Sequence, residues 1–342
     1  MTKKKEQLFE RVAVFTDIHF GLKHNSRQHN DDCERFVKWF IDEAKQRGCE
    51  TCIFMGDWHH HRASVNVSTL NYTLSNLGFL DDAFDKTYFI VGNHDLYYRE
   101  KREINSLPMA ERFPNIVMID RIYEEGNVAV VPWLVGDEWK KIDKIKAKYM
   151  FGHFELPNFK MNAMVEMPDH GGLKAERFKH QDYVFSGHFH KRQQKGKVHY
   201  IGNPFGHNYA DVWDFDRGAM FLEWGGEPEY VDWEDGPRYI SLDLSTLLED
   251  PDAYLNEHTY AKVSLDVDIS YEEANFLRET FIENYGIREL KLLPKREIDE
   301  LDTVEMGSIK FETVDQIVVD SIKNIESDTF DVDKLASIYN NL

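Results

Sequence analysis

The chain has little of what marks secreted, membrane-spanning or nucleotide-powered proteins. Its 342 residues include only three cysteines, Cys33, Cys49 and Cys52. An odd, early cluster makes no disulfide framework, and Cys49-x-x-Cys52 lacks the second pair or spaced histidines of a structural zinc site. These thiols are expected to be reduced and packed near a strand start. No apolar run approaches the roughly 20 residues of a membrane span. The basic run in MTKKKEQLFE has no apolar segment after it, so no signal peptide is read and a cytoplasmic location is expected. There is no GxxxxGK-S/T loop to cradle ATP phosphates, no internal repeat and no low-complexity tract.

Positive charge is also scarce: 41 Lys/Arg stand against 61 Asp/Glu, a net of −20. The imbalance is concentrated between Ile240 and Leu342, with nine basic residues against twenty-four acidic ones. That third would repel nucleic acid, so any DNA contact belongs to the first two thirds. The acidic third suits a basic partner surface or simple solubility. What is plentiful is apolar: 42% hydrophobic and 13% aromatic residues describe a globular chain able to bury a large core.

Apolar strands alternate with amphipathic stretches from the start. RVAVFT, TCIFM and YFIV read as buried strands. Between them Arg27–Arg47 repeats Phe36, Val37, Phe40, Ile41 and Ala44 at helical spacing. Val67–Phe84 is likewise helical, with Leu70, Leu74, Leu77, Phe79 and Leu80 expected on its inner face. Further strands follow at Ile116–Ile119, Asn127–Val131, Tyr149–Phe151, Tyr183–Ser186 and in VHYIGNP. With less helix between them, these predict a second sheet packed on the first, in an α/β architecture. Glycines and prolines mark a seam near residues 225–238. Beyond it, strands at Tyr239–Leu244, Tyr260–Val267 and Arg288–Leu293 with a helix at Tyr271–Tyr285 form a small unit. An acidic linker then leads to two short helices, Val314–Ile325 and Val332–Tyr339.

Five polar motifs stand at strand ends: Asp17-x-His19; Gly56-Asp57 with His59, His60 and His61; Gly92-Asn93-His94-Asp95; Gly152-His153; and Gly187-His188-Phe189-His190. Residues just after the strands of an α/β sheet gather in one crevice at its carboxyl edge. Carboxylates, an amide and imidazoles together suit Mn²⁺, Fe²⁺ or Zn²⁺ rather than calcium. One ion takes about four to six ligands, so this many donors indicate two ions sharing a carboxylate. Such a centre acidifies water and stabilises a phosphoester under attack, and a nearby histidine can protonate the leaving oxygen.

In these residues the chain resembles the calcineurin-like metallophosphoesterases, whose ordered pattern is D-x-H, GD, GNH, GH, GHxH, over about residues 11–205. The resemblance implies a two-sheet sandwich flanked by helices and a metal-dependent phosphodiester hydrolase. It assigns Asp17, His19, Asp57 and His190 to one metal, with Asp57 bridging to a second held by Asn93, His153 and His188. It gives His94 the proton-donor position, and Asp95 is expected to support it from behind. The run GDWHHHRAS looks like the SbcD-type DNA repair nucleases, which places His60 at a second catalytic histidine. Trp58-His59 departs from the two apolar residues usual there.

That subgroup implies two Mn²⁺ ions, with Mg²⁺ as a substitute, and an exonuclease or endonuclease acting on DNA. It also implies a homodimer through Arg27–Arg47 or Val67–Phe84, and an SMC-like, SbcC-type ATPase partner. The domains are then 1–225 (nuclease), 226–300 (a small α+β capping domain that grips DNA) and 301–342 (linker and a C-terminal helix pair docking on the ATPase). The chain looks most like nuclease subunits of recombination complexes from large tailed phages, which would make its location the host cytoplasm. Arg99, Lys101, Arg102, Lys191, Arg192, Lys195 and Lys197, close to the motifs, are the candidate phosphate contacts. The alternative readings are a phosphomonoesterase or cyclic-nucleotide phosphodiesterase on the same core, and a non-catalytic scaffold.

Overall fold

Buried strands with apolar side chains on both faces need cover on both sides, and the chain supplies it as layers. The computed structural model describes residues 7–161 and 165–294; the two expected C-terminal helices lie outside them. In chain order, β1 (Arg11–Phe15), β2 (Thr51–Phe54), β3 (Lys86–Ile90) and β4 (Ile116–Ile119) come first. They are followed by β5 (Tyr123–Glu125), β6 (Val128–Val131), β7 (Tyr149–His153), β8 (Tyr183–Gly187), β9 (Gln193–Lys195) and β10 (Val198–Tyr200). β11 (Gly218–Glu223) and β12 (Glu229–Asp232) precede β13 (Arg238–Asp243), β14 (Thr259–Leu265) and β15 (Glu289–Pro294).

Among the described residues three sheets result, with strand orders β12-β11-β1-β2-β3-β4, β5-β6-β7-β8-β10-β9 and β13-β14-β15. β1 to β4 are mutually parallel, as are β6, β7, β8 and β10, so the carboxyl ends of each set open on one side. Alternation along the strands divides the cores. Val12, Val14, Ile53 and Ile90 face Val130, Phe151 and Phe185 across the two large sheets. Ala13, Phe15, Phe54 and Phe89 point the other way, onto Phe36, Phe40, Leu77 and Leu80 of the helices Arg27–Gln46 and Val67–Ala83.

The first helix buries the face read from its spacing, and Ser26 caps it by accepting from the His29 N–H. The second does not. Thr69, Thr73 and Asn76 are buried there beside Leu77 and Leu80, whereas Leu74 is exposed. The reason is chemical: the Thr73 hydroxyl meets both Trp58 Nε1 (3.3 Å) and His59 Nε2 (2.8 Å), polar groups a leucine would leave unpaired.

Although β12 follows the glycines at 225 and 226, it pairs with β11 in the first sheet, so the change of sheet falls between Asp232 and Arg238. The third sheet has its own core, with Ile240, Leu244, Val263, Phe281 and Leu290 buried together. It meets the main body through the buried Arg288–Asp32 pair, and through Trp213 Nε1, which donates to the Ser241 carbonyl (3.0 Å). The three cysteines are free and buried, and burial pushes their thiols up.

Candidate metal centre

The crevice forms because the chain turns sharply at the strand ends. Asp17, His19, Asp57 and His188 all adopt left-handed backbone, with φ of 51°, 52°, 61° and 87°. Non-glycine residues hold such angles at a cost of roughly 1–3 kcal/mol each, which the surrounding structure must offset. Here the first two loops zip together: Asp17 N–H donates to the Gly56 carbonyl (2.9 Å), His19 N–H to Asp57 (3.1 Å) and Phe20 N–H to Trp58 (2.7 Å). Close approach explains the glycines. A Cβ on Gly92 would lie 2.2 Å from Asp57 Oδ1, and one on Gly187 would lie 2.1 Å from Thr16 Oγ1.

The motif residues converge. Donor atoms of Asp17, His19 and Asp57 lie within 4.8 Å of one another, and so do those of Asp57, His153 and His188. Asp57 is common to both sets. His190 Nε2 stands 3.8 Å from Asp17 Oδ1. Asn93 Oδ1 meets His153 Nε2 at 2.9 Å and His188 Nδ1 at 2.8 Å. His153 donates Nδ1–H to the Met55 carbonyl (2.7 Å), which leaves Nε2 as its inward donor atom. Glu155, which sequence reasoning missed, bonds His188 Nε2 (3.1 Å) and accepts from Arg99 (2.5 Å).

The electrostatics fit a cation site. Both ring nitrogens of buried His19 lack a hydrogen-bond partner, and burial pushes its pKa well down, so it is a neutral donor. Burial opposes the charge on Asp57, but His153 beside it holds the carboxyl well below the usual range. Burial likewise opposes charge on His153, and Asp57 wins, raising it to about 9. A carboxylate pressed among imidazoles around unpartnered nitrogens is a donor set for divalent transition metals.

Four neighbouring residues divide their roles. His94 Nδ1 donates to the His60 carbonyl (2.8 Å), and the two rings stack with centroids 5.4 Å apart. Burial, then His94, pushes His60 down to about 4, so it is neutral near pH 7. His59 turns away, bonded to Ser106 and Thr73. Asp95 supports the Asp57 turn rather than the His94 ring: its carboxylate accepts from the backbone N–H groups of Gly92, Asp57, Trp58 and His59 at 2.9–3.1 Å. Burial, then Asp57, raises it to about 7 against the hydrogen bonds from the His59 and Gly92 N–H groups.

The seven basic residues are less uniform. Arg102 is held by Glu138, Lys191 by Asp214 and Arg192 by Asp232, so their charge is compensated locally. Lys195 and Lys197 donate to the Asn158 and Gln181 carbonyls. Lys101 is exposed near Glu103, and Arg99 lies over Trp133, whose ring adjoins His188. A further histidine, His207, was missed because Gly206-His207 lies in a loop well past the end of β10 and not directly after a strand; it joins His19 and His190 within 4.8 Å.

The calcineurin-like phosphoesterase family model matches residues 10–192. Exonuclease subunit 1 of Enterobacteria phage T4 is 28% identical over 204 residues, 57% of this chain and 59% of that protein. Among solved structures, a Pseudomonas putida nuclease MPE superposes with a TM-score of 0.30 and 18% identity, over 55% of this chain and 66% of that one. A dimetal phosphatase from Danio rerio gives 0.39 and 10%, over 64% and 93%. No helix among the described residues is long and apolar enough to cross a membrane.

Proposed function

Given that the chain belongs to the calcineurin-like phosphoesterase family and is a metal-dependent phosphoester hydrolase, we propose that it is a two-metal DNA nuclease. The observation that carries this reading is Asp57, shared by the Asp17–His19 and His153–His188 donor sets. Asp17, His19, Asp57 and His190 would hold one ion, and Asp57, Asn93, His153 and His188 the other. Two divalent cations bound there would acidify water and offset charge on the phosphodiester.

The chain's own residues do the rest. The His60 carbonyl fixes the His94 proton at Nδ1, so that Nε2 is the atom free to carry and deliver a second proton. His94 protonates the leaving oxygen, and neutral His60, stacked on it, keeps the ring in place. Arg99, which lies over Trp133 and is paired with Glu155, is the basic side chain that would exchange that carboxylate for a flanking phosphate.

The phage relative is named an exonuclease subunit, and this supports DNA as substrate and a catalytic subunit working beside a partner. The alignment spans 59% of that protein, so substrate and partner are inferences for this chain. We take the partner to be an SMC-like, SbcC-type ATPase and the ions to be Mn²⁺. Val67 and Leu74, both exposed on one helix, support a homodimer contact there.

The test is cleavage of linear and hairpin DNA beside p-nitrophenyl phosphate in Mn²⁺, for the native chain and His94→Ser. Native DNA cleavage lowered by about 10²–10⁴ in His94→Ser, with metal uptake and DNA binding retained, is expected. Full activity in His94→Ser would end its assigned role. Turnover of p-nitrophenyl phosphate with DNA left intact would replace the nuclease by a phosphomonoesterase.

A further inference from the structure

Outside the seven motif donors and the stacked His60–His94 pair, a further imidazole turns into the same crevice. His207 follows β10 in the run Gly202–His207, is 1% exposed, and has no hydrogen-bond partner at either ring nitrogen. A buried polar group left unmatched costs about 1–3 kcal/mol, so a fold retains one where something else meets it.

The ring is held there firmly. His207 N–H donates to Asp211 Oδ2 (2.8 Å), and Asp211 Oδ1 accepts from Arg217 Nη2 (3.0 Å). Arg217 Nη1 in turn donates to the His190 carbonyl (3.0 Å). A buried carboxylate–guanidinium pair thus ties the backbone of His207 to that of His190. From the other side, the Tyr239 hydroxyl of β13 donates to the His207 carbonyl (3.0 Å). The imidazole lies 5.5 Å from the His19 ring and 5.2 Å from the His190 ring, centroid to centroid. Phe205, at 5.3 Å, closes another side with nothing that bonds a nitrogen.

From this geometry we infer that His207 is an additional protein ligand of the first ion, completing the set Asp17, His19, Asp57, His190 and His207. The inference rests on the two-ion reading above. Donor atoms of His19, His190 and His207 already lie within 4.8 Å of one another, close enough to share one cation. Three imidazoles on this side, against two on the other, make it the more nitrogen-rich half. It therefore selects a borderline transition metal over Mg²⁺, which prefers oxygen and retains its waters.

The experiment is calorimetric titration of Mn²⁺ into the chelator-stripped full chain, with bound metal counted by elemental analysis. The variants are His207→Ala, His207→Phe, His19→Ala and Asn93→Ala. Both His207 variants should weaken one of two binding events by at least about tenfold and leave the other unchanged. They should also lose preference for Mn²⁺ over Mg²⁺ at that site. Asn93→Ala should weaken the opposite event. Native affinity at both sites in His207→Phe would overturn the inference. So would loss of the fold in metal-free His207→Phe, since a phenyl ring keeps the packing and removes only the nitrogens. If His19→Ala loses an ion while both His207 variants keep two, this inference alone fails. If His19→Ala also keeps two, the two-ion reading fails with it.

Discussion

The two halves of the crevice are assembled differently. Around Asn93, the donor atoms hold one another: the amide oxygen meets His153 and His188, Met55 anchors His153, and Glu155 anchors His188. Around His19, the imidazoles of His19 and His207 have no polar partner, and the order comes from the backbone. There the zipper of the first two loops and the Asp211–Arg217 bridge fix the chain beneath each ring. One half is rigid through its side chains and the other through its peptides. An unpartnered nitrogen keeps its lone pair available, so the second arrangement leaves more for an ion to gain.

The largest effect should come from the residue common to both halves. Asp57→Asn should lower kcat on DNA by on the order of 10²–10³ or more and weaken both ions together. Calorimetry in which only one ion weakens would show that the halves do not share it.

A smaller effect separates the halves without metal. In chelator, Asn93→Leu should destabilise the chain by about 1–3 kcal/mol, because His153 Nε2 loses the amide oxygen it bonds. His19→Leu should be neutral or stabilising, since it replaces unpartnered buried nitrogens with apolar atoms. Denaturant titrations giving the reverse order would break the comparison.

The smallest effect serves as a baseline outside the crevice. His199, on β10, bonds the Tyr230 hydroxyl (2.9 Å), and burial pushes it down to about 4. Its unfolded value is about 6.5. The folded state therefore resists protonation, and its stabilising share is complete above pH 6.5 and lost as pH falls toward 4. Melting curves at pH 7 and 5 should differ less for His199→Phe than for the native chain. An identical drop in both would remove His199 from the acid response.

Much of this was legible because strand patterning and motif grammar are local. Seven donors were named from strand ends, and the chain folds so that they gather in one crevice. The failures share a cause. The helix Val67–Ala83 follows its neighbours' polar needs rather than its own leucines, because Trp58 and His59 require the Thr73 hydroxyl. Asp95 was read beside His94 because the two are adjacent in sequence, yet its carboxylate bonds three backbone N–H groups of the Asp57–His59 turn and one of its own turn, at Gly92. The basic run after Gly187-His188-Phe189-His190 reads as open charge until Asp214, from the loop before β11, and Asp232, at the end of β12, neutralise Lys191 and Arg192.

By itself, the sequence determined the strands, the order of the polar motifs and the residue types that meet a metal, since side-chain chemistry and the alternation of a buried strand are properties of a few neighbouring residues. Only the tertiary structure decided which imidazoles keep their lone pairs. His59 is satisfied, whereas His19 and His207 are not, because a hydrogen-bond partner is supplied by whatever other segment packs against the ring.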